Sequence, residues 1–186
     1  MEFHASPKTL EAFHRAWSTK HGNNLCSARL NPASRSDWQT PLELFTPLHQ
    51  EFGFTLDACA TAGNAQCARY FTPEQDGLSQ RWNGVVWCNP PYGAAEIAKW
   101  LCKAIQSATE GATVVMLVPA DTQRAWWHEF VLPHAAEIRY VRGGVRFVGA
   151  KQRAPFPSVV LVFRPIVAEL QHRSIHQRVF VSTNNK

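Results

Sequence analysis

At 186 residues the chain suits one domain with a single sizeable core and is too short for two full domains. Hydrophobic residues at 45% against 18% charged exclude extended disorder, and no apolar run approaches the roughly 20 residues that cross a bilayer, so no membrane partner is expected. A formal charge of +5 favours contact with a polyanion without naming one.

Residues 1–35 read as a loose arm, with an amphipathic helix over 10–19 and then a polar stretch rich in Asn, Ser and Arg. Nothing in it resembles the apolar core of a secretory signal, which points to the cytosol. The domain proper is expected over 36–166. Leu42, Phe45, Leu48 and Phe52 recur at helical spacing after Thr40-Pro41, an N-cap residue followed by a proline suited to the first turn. Residues 54–57 form a short strand ending in Asp57, 69–72 a brief strand candidate, and 85–88 a strand that runs straight into Asn89-Pro90-Pro91-Tyr92. A helix follows over 94–107, with Ile97, Leu101, Ala104 and Ile105 on one face, ending near Gly111. The β-branched run at 113–118 has the character of a strand buried on both faces. Beyond it the pattern predicts helix over 122–131, a strand over 137–141, and an antiparallel pair made by 145–148 and 158–163. The polar tail, 167–186, is expected to fray. Strands alternating with helices imply an α/β, Rossmann-like fold: a mostly parallel central sheet with an antiparallel closing hairpin, helices on both faces, and a site at the carboxyl ends of the strands.

The five cysteines, Cys26, Cys59, Cys67, Cys88 and Cys102, include no C-x-x-C pair, so no disulfide framework or zinc knuckle is indicated and most are expected to be reduced and buried. The eight histidines show no metal spacing, and no metal is expected. Of the neighbours Trp126 and Trp127, one ring is expected to line a cleft. Arg139, Arg142, Arg146, Lys151 and Arg153 surround Gly143, Gly144 and Gly149 as a basic ribbon suited to phosphate contact, although an ordinary solvated hairpin accounts for the charges nearly as well. Nothing in the sequence sets an oligomeric state.

Asn89-Pro90-Pro91-Tyr92 is the most informative tetrapeptide. Two prolines after a hydrophobic strand end pairing and fix the backbone where a parallel sheet displays its site. In isolation the string also suits a rigid turn, or a proline-tyrosine peptide ligand, but the latter needs an exposed, disordered setting.

With its surroundings the motif resembles the amino-group DNA methyltransferases that use S-adenosylmethionine, in particular the small phage Dam-type adenine-N6 methyltransferases, over about residues 36–165. Asp37-Trp38-Gln39-Thr40-Pro41 resembles that family's opening segment, which implies that Trp38, Thr40 and Pro41 lie near the methionine end of the cofactor. Thr55-Leu56-Asp57-Ala58-Cys59-Ala60 resembles a degenerate first cofactor motif, carrying Asp57 and Ala58. Asp76-Gly77-Leu78 resembles the acidic motif that holds the cofactor's adenine, and the 142–147 and 155–158 segments resemble the closing hairpin. Asn89, Pro90, Pro91 and Tyr92 correspond to the catalytic motif. The resemblance implies a methyltransferase fold, S-adenosyl-L-methionine as cofactor, double-stranded DNA as partner, and residence in the host cell's cytoplasm. The usual glycine-rich loop is missing after Asp57, where Gly63 is the one late glycine. The short interval between Asp57 and Asn89 leaves the ribose-binding acid open between Glu74 and another residue.

The motif's logic is independent of the resemblance. An adenine amino nitrogen has its lone pair delocalised into the ring, so it must be localised and held in line with an electrophilic methyl. The side-chain oxygen of Asn89 and the carbonyl of Pro90 can each accept one of its N–H groups, and Tyr92 offers an aromatic face to a base rotated out of the duplex. Planar amino groups of RNA or of a protein glutamine suit the same site, and a nucleic-acid-binding module with a dead site is the non-enzymatic alternative.

Overall fold

The computed structural model describes residues 38–165 and, further on, the strand backbone at 176–180. The arm at 1–35 and most of the tail lie outside the described residues. Helix α1, Leu42–Phe52, starts where the Pro41 carbonyl accepts the N–H groups of Leu44 and Phe45 and ends at Gly53, in the left-handed conformation at φ 68°. Pro41, not Thr40, is the N-cap residue, and no side chain caps the helix. The Thr40 hydroxyl is engaged elsewhere, as described below.

Six strands form one sheet among the described residues: β1 Leu56–Asp57, β2 Val85–Cys88, β3 Thr113–Pro119, β4 Glu137–Val141, β5 Ser158–Phe163 and β6 His176–Phe180, in the order β1-β2-β3-β5-β4-β6. β5 alone runs antiparallel, wedged between β3 and β4. Helix α2, Ala94–Thr109, crosses from β2 to β3. Its Ile97, Leu101, Ala104 and Ile105 pack on one sheet face against Val86, Val114, Met116 and Leu161. Leu44, Phe45 and Leu48 of α1 cover the other face with Trp87, Val115, Leu117, Val160 and Val162. β3 and β5 are therefore buried on both sides, as their unbroken apolar runs require.

Further sequence expectations change in the fold. Residues 69–72 do not form a regular strand: Tyr70 makes a single parallel bridge with Asp57, flanked by backbone bonds of Arg69 and Phe71 to Asp57 and of Ala60 to Phe71. Residues 145–148 are not a strand either, because the Val148 N–H bonds to the Gln39 carbonyl and Ala154 N–H to Val145, so β5 pairs with β4 instead. The helix expected over 122–131 is a turn followed by a π-helical segment, Trp127–Val131, and a short helix α3, Leu132–His134. Pro133 has no N–H to give to the Glu129 carbonyl, and the preceding turn widens so that the Leu132 N–H reaches Trp127. Part of the tail pairs rather than frays: β6 lies parallel to β4 at the sheet edge. Cys59, Cys67 and Cys88 are free, as expected of most cysteines, whereas Cys102 is disulfide-bonded.

In the loop after Tyr70, Gly77 lies against the end of β1. A Cβ at Gly77 would stand 2.2 Å from the Ala58 carbonyl oxygen and 3.2 Å from Trp100 Cη2, and the Gly77 carbonyl accepts the Trp82 indole N–H at 2.8 Å. The obstacle is backbone, which cannot rotate aside. Gly77→Ala is therefore expected to cost about 1–3 kcal/mol, read as a lower urea midpoint with an unchanged m-value; a parent-like midpoint would contradict this packing.

Candidate functional site

The site lies at the carboxyl ends of β1 and β2. Asp57 ends β1 and is only 2% exposed. Its carboxylate accepts the backbone N–H groups of Cys59 at 3.3 Å and Gln66 at 3.0 Å. Burial outweighs these bonds and raises its pKa to about 6. Burial, and then the charge of Asp57, push the Cys59 thiol well up and Cys67 to about 11, so neither is a thiolate at neutral pH.

The contact of Gly77 with Ala58 brings the Asp76 turn beside Asp57. Asp76 lies not at a strand end but in a turn at φ 51°, a left-handed conformation that a short polar side chain tolerates, and its carboxylate accepts the Leu78 N–H at 3.2 Å. Leu78 is a core residue under this turn, packed with Trp82 and Trp100. The structure thus sets the Asp76-Gly77 turn against Ala58, the residue after Asp57, and gives the Leu78 side chain a packing role.

At the end of β2 the Asn89 amide is held from one side. Its Nδ2 donates to the Trp38 carbonyl at 2.7 Å and to Thr40 Oγ1 at 3.2 Å. That orientation turns Oδ1 toward Tyr92, whose hydroxyl donates to it at 2.7 Å. A carbonyl oxygen has two acceptor sites, so a second donor can still be taken. Burial keeps the Tyr92 phenol well above its ordinary pKa, hence a donor. The Tyr92 ring meets Phe147 and Phe156 edge-on, with centroids 6.1 and 5.6 Å away, and Trp38 meets the same two rings. Pro90 is buried and Pro91 half-buried, which fixes the turn into α2.

The basic ribbon divides. Arg139 does not belong to it: it is 4% exposed, and its guanidinium donates to both oxygens of Glu51 at 2.6 Å and to Glu137. It also lies over the Phe52 ring. Hydrogen bonds from Arg164 and Arg139 overcome burial and hold Glu137 below the usual carboxylate range. This network ties α1 to β4 and commits four of the five Arg139 N–H groups to carboxylates. Arg142, Arg146, Lys151 and Arg153 are exposed. Arg153 and Arg146 brace their loop by donating to the carbonyls of Gly144 and Ala150. The same loop carries Phe147 and Phe156, so its cations stand on the segment that packs on Tyr92. Trp126 and Trp127, against expectation, are both in the core beside α2.

Sequence reasoning missed Phe147, Phe156 and Gln66. The two phenylalanines sit in a Pro- and Gly-flanked stretch whose aromatic content was the available signal. Gln66 carries none.

An open α/β sheet with one inserted antiparallel strand and a polar site at the ends of its parallel strands defines the class I S-adenosylmethionine-dependent methyltransferase fold. A Listeria monocytogenes protein whose crystal structure is described as belonging to that class superposes with a TM-score of 0.52 over 94% of this chain and 75% of its own, at 10% identity. The chain belongs to the DNA N-6-adenine-methyltransferase (Dam) family, whose model matches residues 27–186. It is 36% identical over 112 residues to a DNA N-6-adenine-methyltransferase of Escherichia phage T1, covering 59% of this chain and 46% of that protein. It is also 36% identical over 108 residues to one of Haemophilus phage HP1, covering 56% and 61%. The matched region thus spans about half of each of these relatives. Among the described residues no helix is long and apolar enough to cross a membrane, and no group of three or more His, Cys, Asp or Glu could hold a metal ion.

Proposed function

We propose that this protein transfers a methyl group from S-adenosylmethionine to the N6 amino group of adenine in double-stranded DNA, in the cytoplasm of its host cell, with residues 36–166 as the methyltransferase domain. The observation that carries this reading is the Asn89 amide, fixed by Trp38 and Thr40 so that Oδ1 is presented as an acceptor beside Tyr92.

The residues fit the cofactor. Asp57 is a buried carboxylate at a strand end, and the turn carrying Asp76 is held against the neighbouring Ala58 by Gly77, where a Cβ has no room. Asp57, Ala58 and Asp76 would hold its adenosine, and Trp38, Thr40 and Pro41 its methionine end. When bound, S-adenosylmethionine supplies a methyl group activated by a positively charged sulfur. The chain's own groups do the rest. Asn89 Oδ1 and the Pro90 carbonyl accept the two N–H groups of the amine, which favours a tetrahedral nitrogen with its lone pair directed at the methyl. Tyr92 supplies a face for the flipped base, worth about 1–3 kcal/mol against the few that flipping costs. Arg142, Arg146, Lys151 and Arg153 meet the phosphates.

The test is sequencing of modified bases in DNA from cells expressing the protein and from cells expressing an inactive variant. N6-methyladenine at a recurring site is expected; methyl label confined to RNA or protein would replace the substrate.

Asp57 adds a pH signature. Its folded-state pKa of about 6 exceeds the ordinary 3.8, so the folded chain holds the proton more tightly than the unfolded one. Stability contributed by this group therefore falls as pH rises from 3.8 to about 6, a cost of about 3 kcal/mol that is fully present above that window. Asp57→Asn is expected to remove this pH dependence in urea titrations while weakening S-adenosylmethionine about 10- to 100-fold, the loss of one acceptor in a buried site. Unchanged affinity by calorimetry in the folded variant would place the cofactor elsewhere.

A further inference from the structure

Gln66 has entered the site so far only through its backbone N–H, yet it joins both halves of it. Its backbone N–H donates to Asp57 Oδ2 at 3.0 Å, and its side-chain Nε2 donates to the Thr40 carbonyl at 3.0 Å, across 26 residues of sequence. Thr40 is 2% exposed, so its carbonyl has little water to turn to. The Thr40 hydroxyl accepts from Asn89 Nδ2 at 3.2 Å, and Tyr92 donates to the same amide's oxygen at 2.7 Å. Three hydrogen bonds, bridged by the Gln66 and Thr40 residues themselves, therefore link the β1 carboxylate to the amide nitrogen of Asn89.

Resting on the function proposed above, we propose that Gln66 is a positioning residue: acting through the Thr40 main chain, it sets the Asn89 amide for accepting the target amine and couples that amide to the Asp57 pocket. The backbone bond to Asp57 fixes where the Gln66 side chain starts, and the bond to Thr40 fixes where it ends. Without the second bond the Thr40 carbonyl loses its donor, and because the Pro41 ring locks the far side of that peptide, the adjustment falls on Thr40 itself, through its own ψ. Its hydroxyl then leaves the line that holds Nδ2, and Oδ1 loses its direction. The requirement is for a donor at the end of the side chain, not for bulk.

The test uses the full-length protein, with Gln66→Met removing the donor at similar size and Gln66→Lys keeping one. Hydrogen exchange of the Asn89 side-chain NH2, assigned by its disappearance in Asn89→Ala, is read by 15N NMR on the free protein. Gln66→Met is expected to speed that exchange about tenfold, the scale of one lost hydrogen bond, and to lower the melting temperature by a few degrees, as a buried carbonyl left without a donor requires, with Gln66→Lys near the parent in both. In single-turnover assays with S-adenosylmethionine and an adenine-containing duplex, the methyl-transfer rate should fall about tenfold in Gln66→Met, with cofactor Kd within about threefold. Parent-like exchange in Gln66→Met, or equal acceleration in both variants, overturns the proposal; so does weakened cofactor binding with unchanged exchange. If Gln66→Met does not fold, Gln66→Glu, which sets an acceptor against the Thr40 carbonyl, takes its place with the same expected results. Because exchange is read without DNA, a parent that leaves DNA unmethylated refutes the substrate and not the hydrogen-bond chain.

Discussion

Asn89→Ala is expected to lower the single-turnover rate of methyl transfer at least about 10²- to 10³-fold, the range seen when one preorganised polar group is removed from a transition state, while S-adenosylmethionine affinity stays within about threefold. The separation follows from where the side chain points. Its Nδ2 is consumed by Trp38 and Thr40 and its Oδ1 accepts from Tyr92, whereas the Asp57 carboxylate accepts from Cys59 and Gln66, so the two groups share no partner atom. Truncation removes the acceptor and also strands the Tyr92 hydroxyl, which can turn to the Leu117 carbonyl already 3.4 Å away. The fold has an alternative partner there, so lost activity with a parent-like melting curve is the result to look for. A variant that keeps near-parent turnover would show that Asn89 only braces the opening segment.

What the sequence made legible follows from the range of each interaction. α2 was readable because Ile97, Leu101, Ala104 and Ile105 repeat at the helical period and all meet the sheet. β3 was readable because every residue from Val114 to Val118 is buried. Residues 145–148 show the limit of that logic: Val145 and Phe147 are buried and Arg146 and Val148 exposed, a true two-residue alternation. Alternation says which side faces inward, not what the backbone pairs with, and here the partner of Val148 is Gln39. Thr40 was misread for a similar reason, since an N-cap hydroxyl and a ligand for a distant amide look alike in sequence. Arg139 is the sharpest case. It was grouped with neighbouring cations, but its partner Glu51 lies 88 residues earlier, and only the fold brings α1 beside β4. The Asn89-Pro90-Pro91-Tyr92 turn was legible because proline and strand end are local facts; the Gln66 connection was not, because nothing local distinguishes it.

Neutralising Arg142, Lys151 and Arg153 together, each to glutamine, is expected to weaken binding to every duplex alike and to flatten the plot of log affinity against log salt by about 0.9 per lost phosphate contact. Geometry separates the exposed cations of this loop, of which these are three, from Arg139. All are exposed, and their loop is anchored on the site by Phe147 and Phe156, which pack against Tyr92. A duplex whose adenine enters beside Tyr92 must therefore pass its backbone close to them. Arg139 is left out because Glu51 and Glu137 hold it, so replacing it would report on the fold. Cofactor affinity should not move, since no residue of the triple touches Asp57 or Asp76, and sequence preference should change little if the contacts are to phosphate alone. Binding isotherms at several salt concentrations check both points. A triple variant with the parent's slope would make the loop a solvated one, and the duplex would then be held by other cations, with Arg29 and Arg35 of the amino-terminal segment next to be tested.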